Sequence, residues 1–501
     1  MELIVLMLQH SGFVLFGVFW LMVTILDFFL KNSKAYSHHY NTFLRKNGIC
    51  MSLCQIRWET IAFNRTVLRI GRWRPNFLKI WFNCGVFFGV VSMFGSTVLL
   101  TMVLLGTLFA EKNHDQLLQP MMPGMNLPWN EALYYFISLI LAGIFHELGH
   151  AVAAVRERVN VNSFGLFLFF IYPGAFVELN SEEVEDISPF CKLRIVCAGV
   201  WHNFILAMFM LLFSFLIPHI LSSIYLTGSG VVVTWTYKAS SIANELRPGD
   251  VVYSLNNCPT YSSMNWMECL HKINTSPQDG FCNSKSFVGL HNISSTLNPL
   301  NLDCCDKTSY RFCFFYINNQ FENLKLSEAT LEKSYRNHYS YACLPARLTI
   351  EHKQLCNDSS FCTSLFKYES FCVKPLVFNT TKLIRINYKE GRDILFVGDP
   401  AELLSTIRVS NYVPKYSFSV INLPEHFQLL CIYTVSISLA LSVLNMVPCY
   451  LLDGNQALLA LMQMIFPINE TVRTSFTTVI LLLGTLILLV NIVLGFLKLL
   501  L

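Results

Sequence analysis

The strongest constraint on this chain is a set of long stretches free of Asp, Glu, Lys and Arg: Ile80 to Ala110, Ile195 to Tyr237, His426 to Leu452 and Thr474 to Leu497. About 20 apolar residues suffice to cross a bilayer as a helix, so each stretch is long enough to span. Leu3 to Leu26 is a fifth, read as a signal anchor because its apolar run is long and no small-residue cleavage site follows. Ala132 to Val155 is a sixth, apolar but for His146, Glu147 and His150. With 53% hydrophobic and only 14% charged residues and a mean hydropathy of +0.46, the composition does not fit one large soluble core. It predicts a polytopic α-helical membrane protein.

The net charge of +4 gives no reason to invoke a nucleic-acid partner. Its distribution is more informative. Lys31, Lys34, Arg45, Lys46, Arg57, Arg65, Arg69, Arg72, Arg74 and Lys79 lie between the first two spans, and the positive-inside rule places that segment in the cytosol. Arg156 and Arg158 follow on the same side if the spans alternate.

Ten of the 17 cysteines fall in one long hydrophilic stretch: Cys258, Cys269, Cys282, Cys304, Cys305, Cys313, Cys343, Cys356, Cys362 and Cys372. An even number clustered there suggests a disulfide framework in an oxidising lumen, with the pairing left open. The stretch also holds glycosylation sequons at Asn274, Asn292, Asn357 and Asn379. A cytosolic zinc-binding region is the alternative, but no CxxC pair occurs in it. Sequons at Asn64 and Asn469 conflict with this topology, and the charge bias is given precedence over them.

Between the third and fourth spans, Asn160 to Val177 is uncharged and broken by Pro173 and Gly174. Aromatic and β-branched residues around a Pro-Gly pair favour a hairpin, and a membrane-dipping β-hairpin is expected beside the polar cluster at His146 to His150. A short helix competes, because the segment fits both periods. Strands are expected at Gly230 to Thr236, Leu246 to Asn256, Lys382 to Tyr388, Ile394 to Val397 and Thr406 to Val413. The implied organisation is 1–110, N-terminal spans with a basic cytosolic loop; 111–226, core spans with the hairpin; 227–426, a luminal domain; and 427–501, the closing core spans.

His146-Glu147-Leu148-Gly149-His150 carries the chemistry. Two histidines at i and i+4 share one helix face and can chelate one Zn²⁺, with Glu147 in reach of a water there. Ionisable groups near the end of an apolar span cost several kcal/mol unless they are paired or hold metal. A third ligand is needed, and Asn445-Met-Val-Pro448-Cys-Tyr-Leu-Leu-Asp453-Gly454 interrupts another apolar span. There Pro448 is expected to break the helix and Gly454 to relax the backbone after the carboxylate. An interfacial helix cap is the plainer reading of Asp453.

HELGH on one span with Asn-x-x-Pro and Leu-Asp-Gly on a later one resembles the site-2 protease family of intramembrane metalloproteases. The animal branch of the family is the closer match, through Ile61-Ala-Phe63-Asn-Arg65, Tyr172-Pro-Gly-Ala-Phe-Val177, Cys197-Ala-Gly-Val-Trp-His-Asn203 and the cysteine-rich insertion. The resemblance implies one zinc ion per chain held by His146, His150 and Asp453, with Glu147 catalytic. It also implies a multi-pass protein of Golgi and endoplasmic reticulum membranes. The implied substrates are single-span, membrane-anchored transcription factors of the sterol-response and unfolded-protein-response type, already cut once in the lumen. Gly230 to Cys269 resembles a PDZ-like fold, either a lid over the site or a merely structural domain. Asn445 is the candidate oxyanion donor. Asn203 is expected to position substrate or to tie spans together, and Pro173-Gly174 to pair with an extended substrate. A catalytically silent scaffold, a metal transporter and a prenyl-peptide protease are the competing readings.

Overall fold

The computed structural model describes residues 2–109, 121, 126–293, 304–305, 311–317, 339–351, 353–365, 369–377, 380–388, 392–417, 419–466 and 470–500. Most of the connection expected near Glu111 to Asn130, and the sequons at Asn379 and Asn469, lie outside the described residues. The chain divides into two compact units, residues 1–216 with 427–501, and residues 217–426.

In the first unit, α1 (Glu2–Asn32) and α2 (Ser37–Lys46) precede the strands β1 (Ile49–Ser52) and β2 (Gln55–Thr60). Next come α3 (Asn64–Arg72), α4 (Pro75–Phe109), α5 (Ala132–Arg156), β3 (Val161–Phe169), β4 (Tyr172–Leu179), α6 (Ser181–Asp186) and α7 (Pro189–Ile220). After the second unit follow α8 (Leu423–Leu444), α9 (Asp453–Ile465) and α10 (Glu470–Leu500). Among the described residues, α4, α5, α7, α8 and α10 are five helices long and apolar enough to cross a membrane. The protein is therefore a multi-pass α-helical membrane protein with a β-rich, cysteine-rich domain. On α5 the bulky Leu133, Ile137, Ile144 and Phe145 are exposed, whereas the small Ala142, Ala151, Ala153 and Ala154 are fully buried. Small residues let helix backbones approach closely where lipid supplies no hydrophobic driving force.

The expected hairpin is present, and it belongs to a larger antiparallel sheet ordered β1-β2-β3-β4. The turn is not where the Pro-Gly pair suggests. It falls at Phe170 and Ile171, where Phe170 takes a left-handed φ of 53° and its N–H donates to the Cys54 carbonyl at 2.9 Å. Pro173 and Gly174 lie inside β4, opposite Leu168 and Phe167. The glycine serves packing. A methyl group at Gly174 would meet the Phe167 ring at 2.3 Å, and one at Gly165 would meet the Phe176 ring at 2.1 Å. Each glycine thus lies under the aromatic ring of the residue opposite it. Proline is tolerated because β4 is an edge strand.

In the second unit, one sheet runs in the order Arg392–Gly398, Lys382–Tyr388, Val251–Leu255, Val231–Thr236, Ile407–Ser410. Its core is Val231, Val233, Leu246, Leu255, Ile384, Ile386 and Leu403 around Trp266. The strand expected over Thr406 to Val413 is interrupted. Thr406 ends the helix Pro400–Thr406, and Val413 pairs separately with Leu226. A second sheet of five strands carries the cysteine-rich part. All ten cysteines pair, as Cys258–Cys269, Cys282–Cys362, Cys304–Cys313, Cys305–Cys343 and Cys356–Cys372. Closing the 80-residue separation of Cys282 and Cys362 removes enough unfolded-chain entropy to contribute about 4.5 kcal/mol. The grouping of Cys282, Cys356 and Cys362 within ligand distance is therefore a disulfide cluster and not a metal site.

The conflict posed by the Asn64 sequon has a local answer. Asn64 Nδ2 donates to the carbonyls of Val161 and Asn162 at 3.0 and 3.0 Å, fastening α3 to the start of β3. A glycan on that nitrogen would break the tie. Asn64→Gln is accordingly expected to leave the electrophoretic mobility of the cell-expressed protein unchanged, and an endoglycosidase-sensitive band lost in the variant would contradict it.

Candidate metal centre

Three polar interruptions of the apolar spans meet in the first unit. The His146 and His150 rings project from one face of α5, and both residues are buried. Asp453 comes from the other end of the chain. The helix α8 stops at Leu444, the residue whose carbonyl a proline at 448 would crowd. The chain then turns through residues 445–452, with Leu451 at a left-handed φ of 77°, and restarts as α9 with Asp453 as its first residue. Gly454 does not relax the backbone as expected. A methyl group there would meet the Val447 carbonyl oxygen at 2.1 Å, and the Gly454 N–H donates to the Asn445 carbonyl at 2.8 Å. Its role is close approach, folding the turn flat against the start of α9.

The ligand atoms converge. Asp453 Oδ2 lies 2.9 Å from His146 Nε2 and 3.4 Å from His150 Nε2, and the two Nε2 atoms are 3.1 Å apart. Donors placed about 2.0 to 2.1 Å from a tetrahedral zinc stand about 3.3 Å from one another, so the triangle matches the ion's requirement. The tautomers also fit. His150 Nδ1–H donates to the Ile195 carbonyl at 2.8 Å. The Asn203 side-chain amide lies 3.3 Å from His146 Nδ1, and Asn203 Oδ1 is otherwise buried without a partner. The amide nitrogen Nδ2 occupies that position; with the amide turned over so that Oδ1 takes its place, Nδ1–H donation to the oxygen satisfies both groups. Each imidazole then turns an Nε2 lone pair towards a carboxylate oxygen that is itself buried without an aligned donor. Three lone pairs facing one another repel unless a cation lies between them.

Asn203, fully buried on α7, lies against a ring of the centre on α5, the interhelical one of the two roles expected for it. Asn445 sits within 3.4 Å of His146 Nε2 through its Nδ2, at the rim of the triangle. Glu147, the next residue on α5 after His146, accepts a 3.0 Å hydrogen bond from the Val177 N–H of β4. Side-chain directions alternate along a strand, and so do the backbone groups at its edge. The N–H and carbonyl groups of Ala175 and Val177, and the carbonyl of Pro173, thus point away from β3, on the side of Glu147. Pro173 and Gly174 are in the strand beside the centre and not at its tip.

Gly199 was missed as a site residue. A methyl group there would lie 2.4 Å from His150 Nε2 and 2.7 Å from His146 Cε1, so only glycine leaves α7 room to pass the metal ligands. The signal was its place in Cys197-Ala-Gly-Val-Trp-His-Asn203, on the same helix as the Ile195 carbonyl that accepts from His150 and four residues before Asn203.

Comparison with known proteins decides the family. The profile of peptidase family M50 matches residues 134–491, most of the chain, including HELGH, Asn203, Asn445 and Asp453. The chain belongs to peptidase family M50. It is also 26% identical over 447 residues to the "membrane-bound transcription factor site-2 protease homolog" of Arabidopsis thaliana, covering 81% of this chain and 85% of that protein. M50 peptidases are zinc metalloproteases, and this chain is an intramembrane metalloprotease of the site-2 protease family. Within this M50 peptidase, Gly199→Ala is expected to abolish bound zinc in the purified protein, read by metal analysis. Asn203→Leu is expected to weaken zinc binding roughly 10- to 100-fold, the usual effect of removing a ligand's hydrogen-bond partner. Full zinc occupancy in the glycine variant at limiting metal would contradict the packing argument.

Proposed function

We propose that this chain cuts single-span, membrane-anchored proteins within their transmembrane segments, using one zinc ion held by His146, His150 and Asp453. The observation that carries the reading is the placement of Glu147 beside the convergent ligands and against the outer edge of β4, where it accepts the Val177 N–H. Zinc, when bound, supplies a Lewis acid that acidifies water and polarises the scissile carbonyl. Glu147 takes a proton from the attacking water and returns it to the leaving amine. The Asn445 side-chain amide donates to the oxygen that becomes negatively charged. A substrate must be extended to be cut, because a helical peptide bond is shielded by its own hydrogen bonds. The edge of β4 that does not pair with β3 carries Ala175 and Val177 and lies against Gly143 and Glu147 of α5; a strand added there displaces that contact, takes over the Val177 N–H and releases Glu147 for catalysis.

The substrate class we favour is the membrane-anchored transcription factor, of the sterol-response or unfolded-protein-response type, after a first luminal cut. The name of the Arabidopsis relative supports it, as does the resemblance to the animal branch. The five disulfides of the 217–426 unit suit an oxidising lumen, in keeping with Golgi and endoplasmic reticulum membranes and with a luminal, PDZ-like domain. A silent scaffold would have no use for Glu147.

The test compares Glu147→Gln with wild type on a radiolabelled single-span substrate truncated on its luminal side. Release of the cytosolic fragment is expected to fall at least about 100-fold, the usual contribution of a general base, while zinc content stays the same. Unchanged release would remove Glu147 from the mechanism.

A further inference from the structure

Outside the metal centre, α3 and the turn into α4 carry a basic surface that the proteolytic reading does not use. At about 100° per residue, Arg65, Arg69 and Arg72 fall within about 60° of one another on α3, and all three are exposed. Val67 and Gly71 lie roughly opposite and are buried. They hold the helix to α5: a methyl group at Gly71 would meet Val155 Cγ1 at 2.5 Å and the Val152 carbonyl at 3.2 Å, within two turns of His150. The inner face of α3 is thus committed to the catalytic helix, and the arginine stripe faces away from it.

Arg74 and Lys79 extend the positive surface and are exposed too. Arg156, the last residue of α5, joins it by donating from Nε to the Pro75 carbonyl at 3.1 Å. Among the described residues, no carboxylate forms an ion pair with Arg65, Arg69, Arg72, Arg74 or Lys79. The neighbouring apolar groups are exposed as well, with Trp73 59% and Phe77 50% accessible. They form an aromatic ladder down the start of the span: Trp73 on Phe77, Phe77 stacked on Trp81, and Trp81 on Trp201. Aromatic rings at the end of a membrane helix mark the headgroup level. A helix with one face of arginine and flanking exposed Trp and Phe has the composition of an interfacial segment.

We propose that the exposed face of α3, with Arg74 and Lys79, is a docking surface for anionic phospholipid headgroups of the leaflet at that end of the spans. Charge selects the lipid, since unpaired guanidinium groups meet phosphate with charge-assisted hydrogen bonds, and the aromatic ladder fixes the depth. Because Val67 and Gly71 tie α3 to α5, the same contact holds the helix that bears His146 and His150 at a set height relative to the membrane surface.

The experiment uses the full chain reconstituted in phosphatidylcholine bilayers containing a minor fraction of phosphatidylserine. Photoreactive analogues of the two lipids are compared for labelling of residues 61–79, mapped by peptide mass spectrometry. Phosphatidylserine is expected to label this segment preferentially at low salt, with the preference dropping about fivefold per arginine replaced by glutamine. It should reach parity in the R65Q/R69Q/R72Q/R74Q/K79Q variant and in wild type at high salt, and return in R65K/R69K/R72K/R74K. Equal labelling by both lipids in wild type, a preference that survives the glutamine variant, or failure of the lysine variant to restore it would each overturn the assignment.

Discussion

The convergence of His146 Nε2, His150 Nε2 and Asp453 Oδ2 within 2.9 to 3.4 Å is the constraint to which the surrounding structure conforms. Burying a carboxylate and two imidazoles costs several kcal/mol if they remain uncompensated, and a chain bears that cost only where a cation offsets it. The local architecture serves the meeting point. The helix α5 presents two rings one turn apart, α7 passes behind them on a glycine, and the apolar span that begins as α8 is broken so that a carboxylate can reach the same place. The outward-facing ring nitrogens are anchored on α7, at the Ile195 carbonyl and the Asn203 amide. One helix therefore supplies the ligands and its neighbour fixes their orientation.

The second organising element is the four-stranded sheet. Its edge strand β4 contacts α5 through Val177 and Glu147, and its far side is extended by β1 and β2 from the basic segment. The turn between β3 and β4 is held from two directions, by the Cys54 carbonyl on the Phe170 N–H and by the Trp20 indole, which donates to the Phe170 carbonyl at 2.7 Å. The N-terminal segment, remote from the metal ligands in sequence, thus takes part in positioning the strand nearest to them. Arg57 of β2 adds to this by stacking on the Phe176 ring at 3.8 Å from its centroid.

The spans and the metal centre were legible because each polar residue stood out against an apolar background. His146, His150 and Asp453 interrupt stretches otherwise long enough to cross a bilayer, and spacing alone puts the two histidines on one face. The observed α5, Ala132–Arg156, differs from the expected span by one residue for the same reason. Less was legible where a residue's role depends on what lies across from it. The pair Pro173-Gly174 reads as a turn, yet the rings of Phe167 and Phe176 cover glycines on the facing strands and move the turn to Phe170. The pairing of β1 with β2, and of β2 with β3, was hidden in the basic segment between the first two spans. Asn203 was visible as a polar residue in a span, but only its distance to His146 gives it an orienting role. Gly199 carries no chemistry, and its necessity is set by the histidines it faces.

The proline in β4 also bears on selectivity. An edge that lacks one amide donor, and shares another with a carboxylate, can offer an incoming chain only a short run of backbone bonds. Such a weak grip does not by itself unravel a stable transmembrane segment, which must give up its internal bonding to lie alongside. Recognition by backbone is also indifferent to side chains. In the proposed mode, discrimination among clients would rest on how readily each one's helix frays inside the bilayer, more than on any consensus motif around the cut.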